Sequence, residues 1–504
     1  MHAFFLAKIC KTHIFMKTEK SITMKIFSDI NKNLHHAKSL INSDDFIIFN
    51  FKTADKNAVA IYLENLCDKE VLGKQAIYKL SMANSISNVD DVTKNIDHPE
   101  VTEVYEFNEV TSKLLNGDGV IFVDGLNTAV SVATKKVTMR AITEPPTSSV
   151  MKGPREGFVE NIQTNLALIR NRLRTENFCY KKFTVGKYSK TLTGLVYLKG
   201  VANEKTVQRL SEKLKNITVD GIIDSSYVIK CISDRKTSLF REVGATEKPD
   251  ILCAKLLEGR IGIIVDGSPI ILTAPFLLLE DFQNAEDYYS NVYRANVSRF
   301  LRLISVIIAV MLPAFFVASQ LFHLQFIPLN FLLTIVSSIK GIPLSPSVEM
   351  FFTLLIFELL NEASLRMPRY VGIAMSVVGA LVLGETAVNA GIVSTPTIMI
   401  VALSGICLYT IPDMIETLSV LRIMFLVVAG AIGAYGIILL FCALITYLAS
   451  LDSFGTPYLA PYSPLILRDL QDGFTLSFFA EQKRRPKSIK SSNVTRRRFN
   501  LDEE

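Results

Sequence analysis

Beyond residue 302 the chain changes character, and the mixed polar and apolar pattern of the first three hundred residues gives way to long uncharged runs. Residues 303–322 and 423–451 each lack any Asp, Glu, Lys or Arg, so each is long enough to cross a hydrocarbon core of about 30 Å as a helix. The pattern predicts an integral membrane protein whose water-exposed part precedes its spans. Pro313, in the middle of the first run, predicts a kink or a carbonyl left free for another partner, because proline offers no N–H to the preceding turn.

Residues 329–341 follow, with Asn330, Thr334, Ser337 and Ser338 on one helical face, a polar stripe suited to the membrane interface or to a water-lined wall. Pro343 and Pro346 then open a helix that carries Glu349, Glu358, Glu362 and Arg366. Eight residues separate Glu349 from Glu358, roughly 12 Å of rise, so this helix is expected to be re-entrant, peripheral or packed inside an assembly. Glu362 and Arg366 lie four apart and can pair, while Glu358 and Glu362 could instead form part of a carboxylate ring around a cation path. Residues 370–393 predict the next span, in which Gly372, Ser376, Ala380 and Gly384 recur every four residues and admit another helix closely. Glu385 and Asn389 sit near its end among apolar residues, either in an ion path or in a buried structural hydrogen bond. A shorter apolar segment covers residues 396–411, and Gly430, Gly433 and Gly436 give the last run a second close-packing surface. Arg294, Arg299 and Arg302 precede the first span and place its start, with both chain termini, in the cytoplasm. About four full spans result, a count that leaves Arg366 and Arg369 on the outer side.

The first three hundred residues look duplicated. Residues 119–130, GVIFVDGLNTAV, are echoed by residues 261–272, IGIIVDGSPIIL. An Asp-Gly pair between β-prone runs predicts a tight hairpin with positive φ at both central positions. The alternative, a phosphate-binding loop, lacks any GxxxxGK[ST] or GxGxxG pattern. Upstream, VAIYL (59–63) and LVYLKG (195–200) form a second echo, each followed by a charged helical stretch. Residues 153–173 place Val159, Ile162, Leu166 and Ile169 at helical spacing and predict a helix linking the halves, with Arg155, Arg170, Arg172 and Arg174 on a solvated basic face or in a binding role. The fold class is therefore an α/β soluble region of two duplicated subdomains followed by an α-helical transmembrane domain. The expected domains are an N-terminal extension lacking order over 1–44, α/β subdomains over 45–148 and 149–298, a membrane domain over 299–452 and a basic cytoplasmic tail over 453–504.

The length of 504 residues and the positive mean hydropathy fit a large water-exposed region joined to spans rather than a transporter with short loops. Much of the net charge of +6 sits in Lys483, Arg484, Arg485, Lys487, Lys490 and residues 496–498, which read as an anchor near anionic membrane lipid rather than a nucleic-acid arm. The seven cysteines include no CxxC pair and the histidines do not cluster with them, so no metal site, disulfide framework or cofactor is expected. No GxSxG elbow, P-loop or HExxH motif points to an enzyme.

GPREGFVE (153–160) with the following LIRNRL, IVDGSP (264–269), EDYY (286–289), MLPAFFVA (311–318), FELLNEASLRMP (357–368), VGALVLGETAVNAGIVS (378–394) and GTPYLAP in the tail resemble, in order, the A subunit of the GerA-type spore germinant receptors. The linker motif of that resemblance comprises Gly153, Pro154, Arg155, Glu156 and Gly157. Asn361 stands where the family usually carries an arginine. The resemblance implies a non-enzymatic, multi-pass subunit of the spore inner membrane. Its implied partners are a transporter-like B subunit and a lipoprotein C subunit, and it is thought to form a homo-oligomer that conducts cations. The competing expectation is a stand-alone secondary transporter, against which no inverted membrane repeat is visible.

Overall fold

The computed structural model describes residues 24–496, apart from 54–55, 84, 137–151, 369–370, 373–376, 378, 380–381 and 479–480. The expected boundary near residue 148, together with Ser376, Ala380 and Arg369, lies outside the described residues. The chain divides into two compact units, Met1–Ala141 with Asn161–Lys182, and Ile142–Glu160 with Phe183–Glu504.

The first unit opens with α1, Ile30–Leu40, capped by the Asp29 carboxylate. Its five strands are β1 (Phe46–Lys52), β2 (Asn57–Leu63), β3 (Val101–Val104), β4 (Gly119–Val123) and β5 (Ala129–Val132), ordered β1-β2-β4-β5-β3 with every neighbour antiparallel. Helix α2, Phe107–Asn116, leads into β4. Alternation decides the packing: Val59, Ile61, Val120 and Phe122 enter one core with α1 and α2, while Ala58, Ala60, Ile121 and Val123 enter a second core on the opposite face. With both faces covered, the central strands are apolar throughout rather than alternating.

Two expectations change here. Ile26, Ile30, Ala37 and Ile41 of the supposed unordered extension are buried in the first core, because α1 presents one apolar stripe to the sheet. The linker helix α3 begins only at Ile162 and ends at Arg172, capped by Asn161, so Val159 and the GPREG motif lie outside it. Helix α3 belongs to the first unit, not to the second half, since Ala167 enters the first core and Arg170 meets Asp45 there. Arg170 is only 1% exposed and grips Asp45 with Nε and Nη2 at 2.6 and 2.7 Å. The Phe178 ring lies 4.7 Å beneath its guanidinium. That excludes the solvated basic face for this arginine.

The second sheet repeats the plan. Its strands β6 (Phe178–Val185), β7 (Thr191–Leu198), β8 (Gly244–Thr246), β9 (Ile261–Val265) and β10 (Ile271–Ala274) take the same order, β6-β7-β9-β10-β8. Helix α4 is Glu204–Lys215 and α5 is Pro249–Glu258. The two Asp-Gly hairpins form, β4 with β5 and β9 with β10. Their turns are wider than expected, spanning residues 124–128 and 266–270, and only Gly125 and Gly267 have positive φ, at 85° and 86°. Both aspartates keep ordinary backbone, so a two-residue turn with two left-handed positions is not what closes them.

The longer helices of the rest of the second unit, among the described residues, are α6 (Val292–Leu321), α7 (Leu329–Ile339), α8 (Pro346–Arg366), α9 (Thr395–Leu408), α10 (Ile415–Ile432) and α11 (Ala434–Ser450). Of these, α6 and residues 412–432 are long and apolar enough to cross a membrane by length and composition. The uncharged run 423–451 is not one helix. It breaks at Gly433, whose φ of 74° and ψ of −152° suit glycine alone. Helices α10 and α11 return on each other: Thr417 near the start of α10 and Tyr447 near the end of α11 both bond the loop at Ser238 and Leu239. At the opposite end, Gly433 lies against Phe322 and Gly430 against Ser347. Gly433 is therefore a hairpin turn, not a packing surface within a span.

Helix α8 also differs from expectation. It starts beside Gly430 at the hairpin end and finishes at Arg366 near the sheet end, where Tyr409 donates to Asn361. Its 21 residues cover about 32 Å, the full depth of the bundle. The tail likewise is not a free basic arm. Asp469 accepts from the backbone of Lys487 and Ser488 at 2.9 and 2.7 Å, and Arg485 donates to the carbonyls of Leu257, Asn493 and Thr495. Arg497 and Arg498 lie outside the described residues.

A Cβ placed on Gly433 would sit 2.8 Å from the Phe322 ring, on a backbone that side chains avoid. Gly433→Ala is expected to destabilise the hairpin by about 1–3 kcal/mol, read as a lowered midpoint of thermal unfolding in detergent. A midpoint equal to wild type would contradict the turn described here.

Candidate functional site

The polar centre of the helical bundle starts from a proline. Pro313 cannot donate to the carbonyl four residues before it, and that carbonyl, Ala309 O, accepts instead from the Ser404 hydroxyl at 2.8 Å. Ser404 Oγ in turn accepts from Arg422 Nη1 at 3.0 Å. Arg422 is fully buried, pairs through Nη2 with Glu358, and lies 5.8 Å over the Phe357 ring. One chain of bonds thus joins α6, α9, α10 and α8. A charged guanidinium in an apolar bundle is tolerated because Glu358 neutralises it and Ser404 takes a second N–H.

Glu349 solves its burial differently. Only 1% exposed, it accepts through Oε1 from both the backbone N–H and the hydroxyl of Ser394 at 2.7 Å, fastening α8 to the start of α9. The acidic helix therefore crosses the bundle with two of its carboxylates satisfied inside the same chain. Glu358 belongs to an ion pair with Arg422 rather than to a shared carboxylate face with Glu362. Glu362 itself is exposed and bonds Arg366, four residues on.

Glu385 and Asn389 sit at the surface of the single chain, Glu385 within a π-helical turn, Val382–Thr386. A Cβ on Gly372 would fall 3.1 Å from the Ser364 carbonyl oxygen and one on Gly379 3.1 Å from the Leu360 side chain, so α8 is approached through Gly372 and Gly379. A Cβ on Gly384 would meet nothing within 4 Å among the described residues. Gly436 lies in α11 but packs back on Val428 and Ile432 of α10. Arg422, the centre of the network, was not singled out from the sequence. Its one signal is its place immediately before an uncharged run of 29 residues.

The sheet-side end of the bundle is a second polar cluster. Phe240 is buried among Leu418, Phe425 and Tyr458, carried there by the loop after residues 225–232. Within the same loop Arg235 donates to Ser450 O at 2.7 Å, and Arg241 bonds Asp281 and approaches Asp413 at 3.4 Å. Burial pushes the Asp281 carboxyl up to about 6 despite the pull of Arg241, with Asp413 and Glu280 also raising it. Arg299, one of the three arginines ahead of the first uncharged run, is 1% exposed and bonds Asp287, Asp472 and the Gly473 carbonyl. Arg302 bonds Asp287 as well. Burial also raises the Asp472 carboxyl, against the lowering effect of Arg299. The linker motif meets this cluster: Gly153 has φ 116° and a Cβ there would fall 2.6 Å from the Tyr289 ring, while Gly157 is buried and Pro154, Arg155 and Glu156 remain at least partly open. GPREG and EDYY are thus neighbours in space.

Residues 32–488 match the family model of the Bacillus/Clostridium GerA spore germination protein. The chain belongs to this family. It is 34% identical over 489 residues to spore germination protein KA of Bacillus subtilis (strain 168), covering 95% of this chain and 90% of that one. It is 32% identical over 451 residues to spore germination protein GerLA of Bacillus cereus, covering 89% and 90%. Among solved structures, the N-terminal domain of the A subunit of the Bacillus megaterium spore germinant receptor GerK3 is 30% identical, with a TM-score of 0.41, covering 51% of this chain and 98% of that one. Among the described residues of this GerA family member no group of His, Cys, Asp and Glu side chains is arranged to hold a metal ion.

Arg422→Leu is expected to lower stability in detergent by about 3–5 kcal/mol, because it strands Glu358. Adding Glu358→Leu should restore most of the loss. A double variant no more stable than the single one would contradict the pairing. A pH series tests Asp281. Its folded state keeps a proton that the unfolded chain has lost between about pH 4 and about pH 6, so its contribution to stability is present at low pH and fades as pH rises through that window. Asp281→Asn should flatten this part of the stability profile, and an unaltered slope would refute the assignment.

Proposed function

We propose that this GerA family member is the A-type membrane subunit of a nutrient-sensing spore germinant receptor, assembled as a homo-oligomer that passes monovalent cations. The observation that carries the reading is the contrast among its acids. Glu349 and Glu358 are satisfied within the chain, whereas Glu385 is exposed on it, inside a segment whose neighbours are apolar. An exposed carboxylate at membrane depth needs water or another protein surface. Several copies around an axis supply both, and a ring of Glu385 with Asn389 would raise the local cation concentration. Glu362 stands on the exposed side of α8, paired with Arg366, at the mouth of such a path.

The proposed arrangement in the membrane has six traversals. They would be α6 and α8, residues 370–393, and then α9, α10 and α11. Arg294, Arg366 and the tail then all fall on the cytoplasmic side with both termini, which satisfies the positive-inside rule without the conflict left by four spans. The α/β subdomains face the same side. In this reading a transporter-like B subunit and a lipoprotein C subunit complete the receptor in the spore inner membrane. The stand-alone transporter is disfavoured, since the duplication lies in the sheets and not in the spans.

Reconstitution of the receptor in liposomes tests the pathway. Glu385→Gln should cut potassium flux on the order of tenfold while leaving assembly size unchanged. Wild-type flux and selectivity in that variant would remove Glu385 from the path.

A further inference from the structure

At the sheet-side end of the bundle, wholly within the second unit, lies a cavity of about 370 Å³. It is bounded by β8, α5, Phe276 beyond the end of β10, the first residue of α6, Asp413 ahead of α10, and Arg496 of the tail. Its apolar walls are Ala245, Ile251, Ala254 and the rings of Phe276, Tyr288 and Tyr289. Among the lining acids, Asp250 accepts from the Tyr289 hydroxyl at 2.7 Å. Glu280 lies 2.8 Å from Lys255 and 3.1 Å from Arg260, Glu258 bonds Arg260, and Asp287 serves Arg299 and Arg302. Arg241 is held more loosely: its Nη2 bonds Asp281, the Phe276 ring lies 4.9 Å from its guanidinium, and the same Nη2 meets Asp413 at 3.4 Å, a carboxylate whose side chain is 69% exposed. Arg496 adds a second guanidinium, whose described partner is the Gln482 amide oxygen at 3.2 Å.

We propose that this cavity binds a small soluble monocarboxylate with an apolar body, whose carboxylate takes the place of Asp413 on Arg241. The chemistry follows from the walls. A preorganised guanidinium with a loosely held carboxylate is a carboxylate site already occupied by a substitute, and the three rings accept an apolar body beside it. A volume of about 370 Å³ suits a small ligand. Displacing Asp413 frees the turn that leads into α10, so occupancy would be felt by the bundle. This inference goes beyond cation conduction and does not depend on it, because it is read by binding alone.

The test uses the full-length chain in detergent and follows thermal unfolding with benzoate, benzamide and acetate at matched ionic strength. Benzoate should raise the midpoint by at least about 2 °C at saturation, acetate less, and neutral benzamide not at all. Equal shifts with benzoate and benzamide, or none with any of the three, would overturn the proposal. Asp413→Asn removes the competitor, whose exposed pairing is worth at most about 1 kcal/mol, so benzoate should bind up to about fivefold more tightly. Unchanged or weaker binding there would refute the displacement. Ala254→Trp, which fills the cavity, should abolish the benzoate shift, and a retained shift would place the ligand elsewhere. Should that variant not fold, the wild-type ranking of the three probes still decides.

Discussion

A carbonyl that a proline leaves without its helical N–H organises the membrane-side half of this molecule. Ala309 O exists as a free acceptor because Pro313 follows it by four residues, and Ser404 occupies it. That bond fixes a hydroxyl deep between helices, and the hydroxyl gives Arg422 a second partner beyond Glu358. Without the first link, the guanidinium would lack a polar contact where α9 passes. The helices around it therefore share one packing solution. Each polar group is placed by another, and the cost of burying charge is offset only when the set is complete.

The sheets face a simpler constraint. Two copies of one strand order each bury both faces, and each closes its central hairpin with a glycine in the left-handed region, Gly125 in one and Gly267 in the other. The copies diverge in what they serve. The first holds α3 by the buried Arg170–Asp45 pair. The second sends Phe240 and its flanking arginines into the end of the helical bundle, and its helix α5 receives the tail where Arg485 donates to the Leu257 carbonyl.

Much of the architecture was legible in the sequence because it rests on local patterns. The paired hairpins announced themselves through repeated Asp-Gly motifs, and Pro313 announced its orphaned carbonyl. The bonds that complete the network were not legible, since Ser404, Arg422 and Ala309 are separated by up to 113 residues and no spacing rule links them. Composition misled at residues 423–451, where an uncharged stretch long enough for one span proved to hold the end of one hairpin leg, the turn and the whole second leg. Hydropathy counts charges, and the signal for the turn was a single glycine among three. The acidic helix shows a converse limit. The partners that satisfy Glu349 and Glu358, Ser394 and Arg422, lie far along the chain, where no local pattern reveals them. Glycine periodicity pointed to the right face only in part: Gly372 makes a close approach, Gly384 makes none among the described residues.

The loop from Arg235 to Arg241 grips the hairpin at both of its feet, Thr417 and Asp413 on one leg, Tyr447 and Ser450 on the other. Legs clamped by the same short stretch of backbone cannot slide past one another. A shift of the second sheet would carry them as one rigid staple, rocking about Gly433 where it rests on Phe322. Force arriving from the water-exposed side is thereby delivered to the far face of the bundle as a tilt, with little lost to bending on the way.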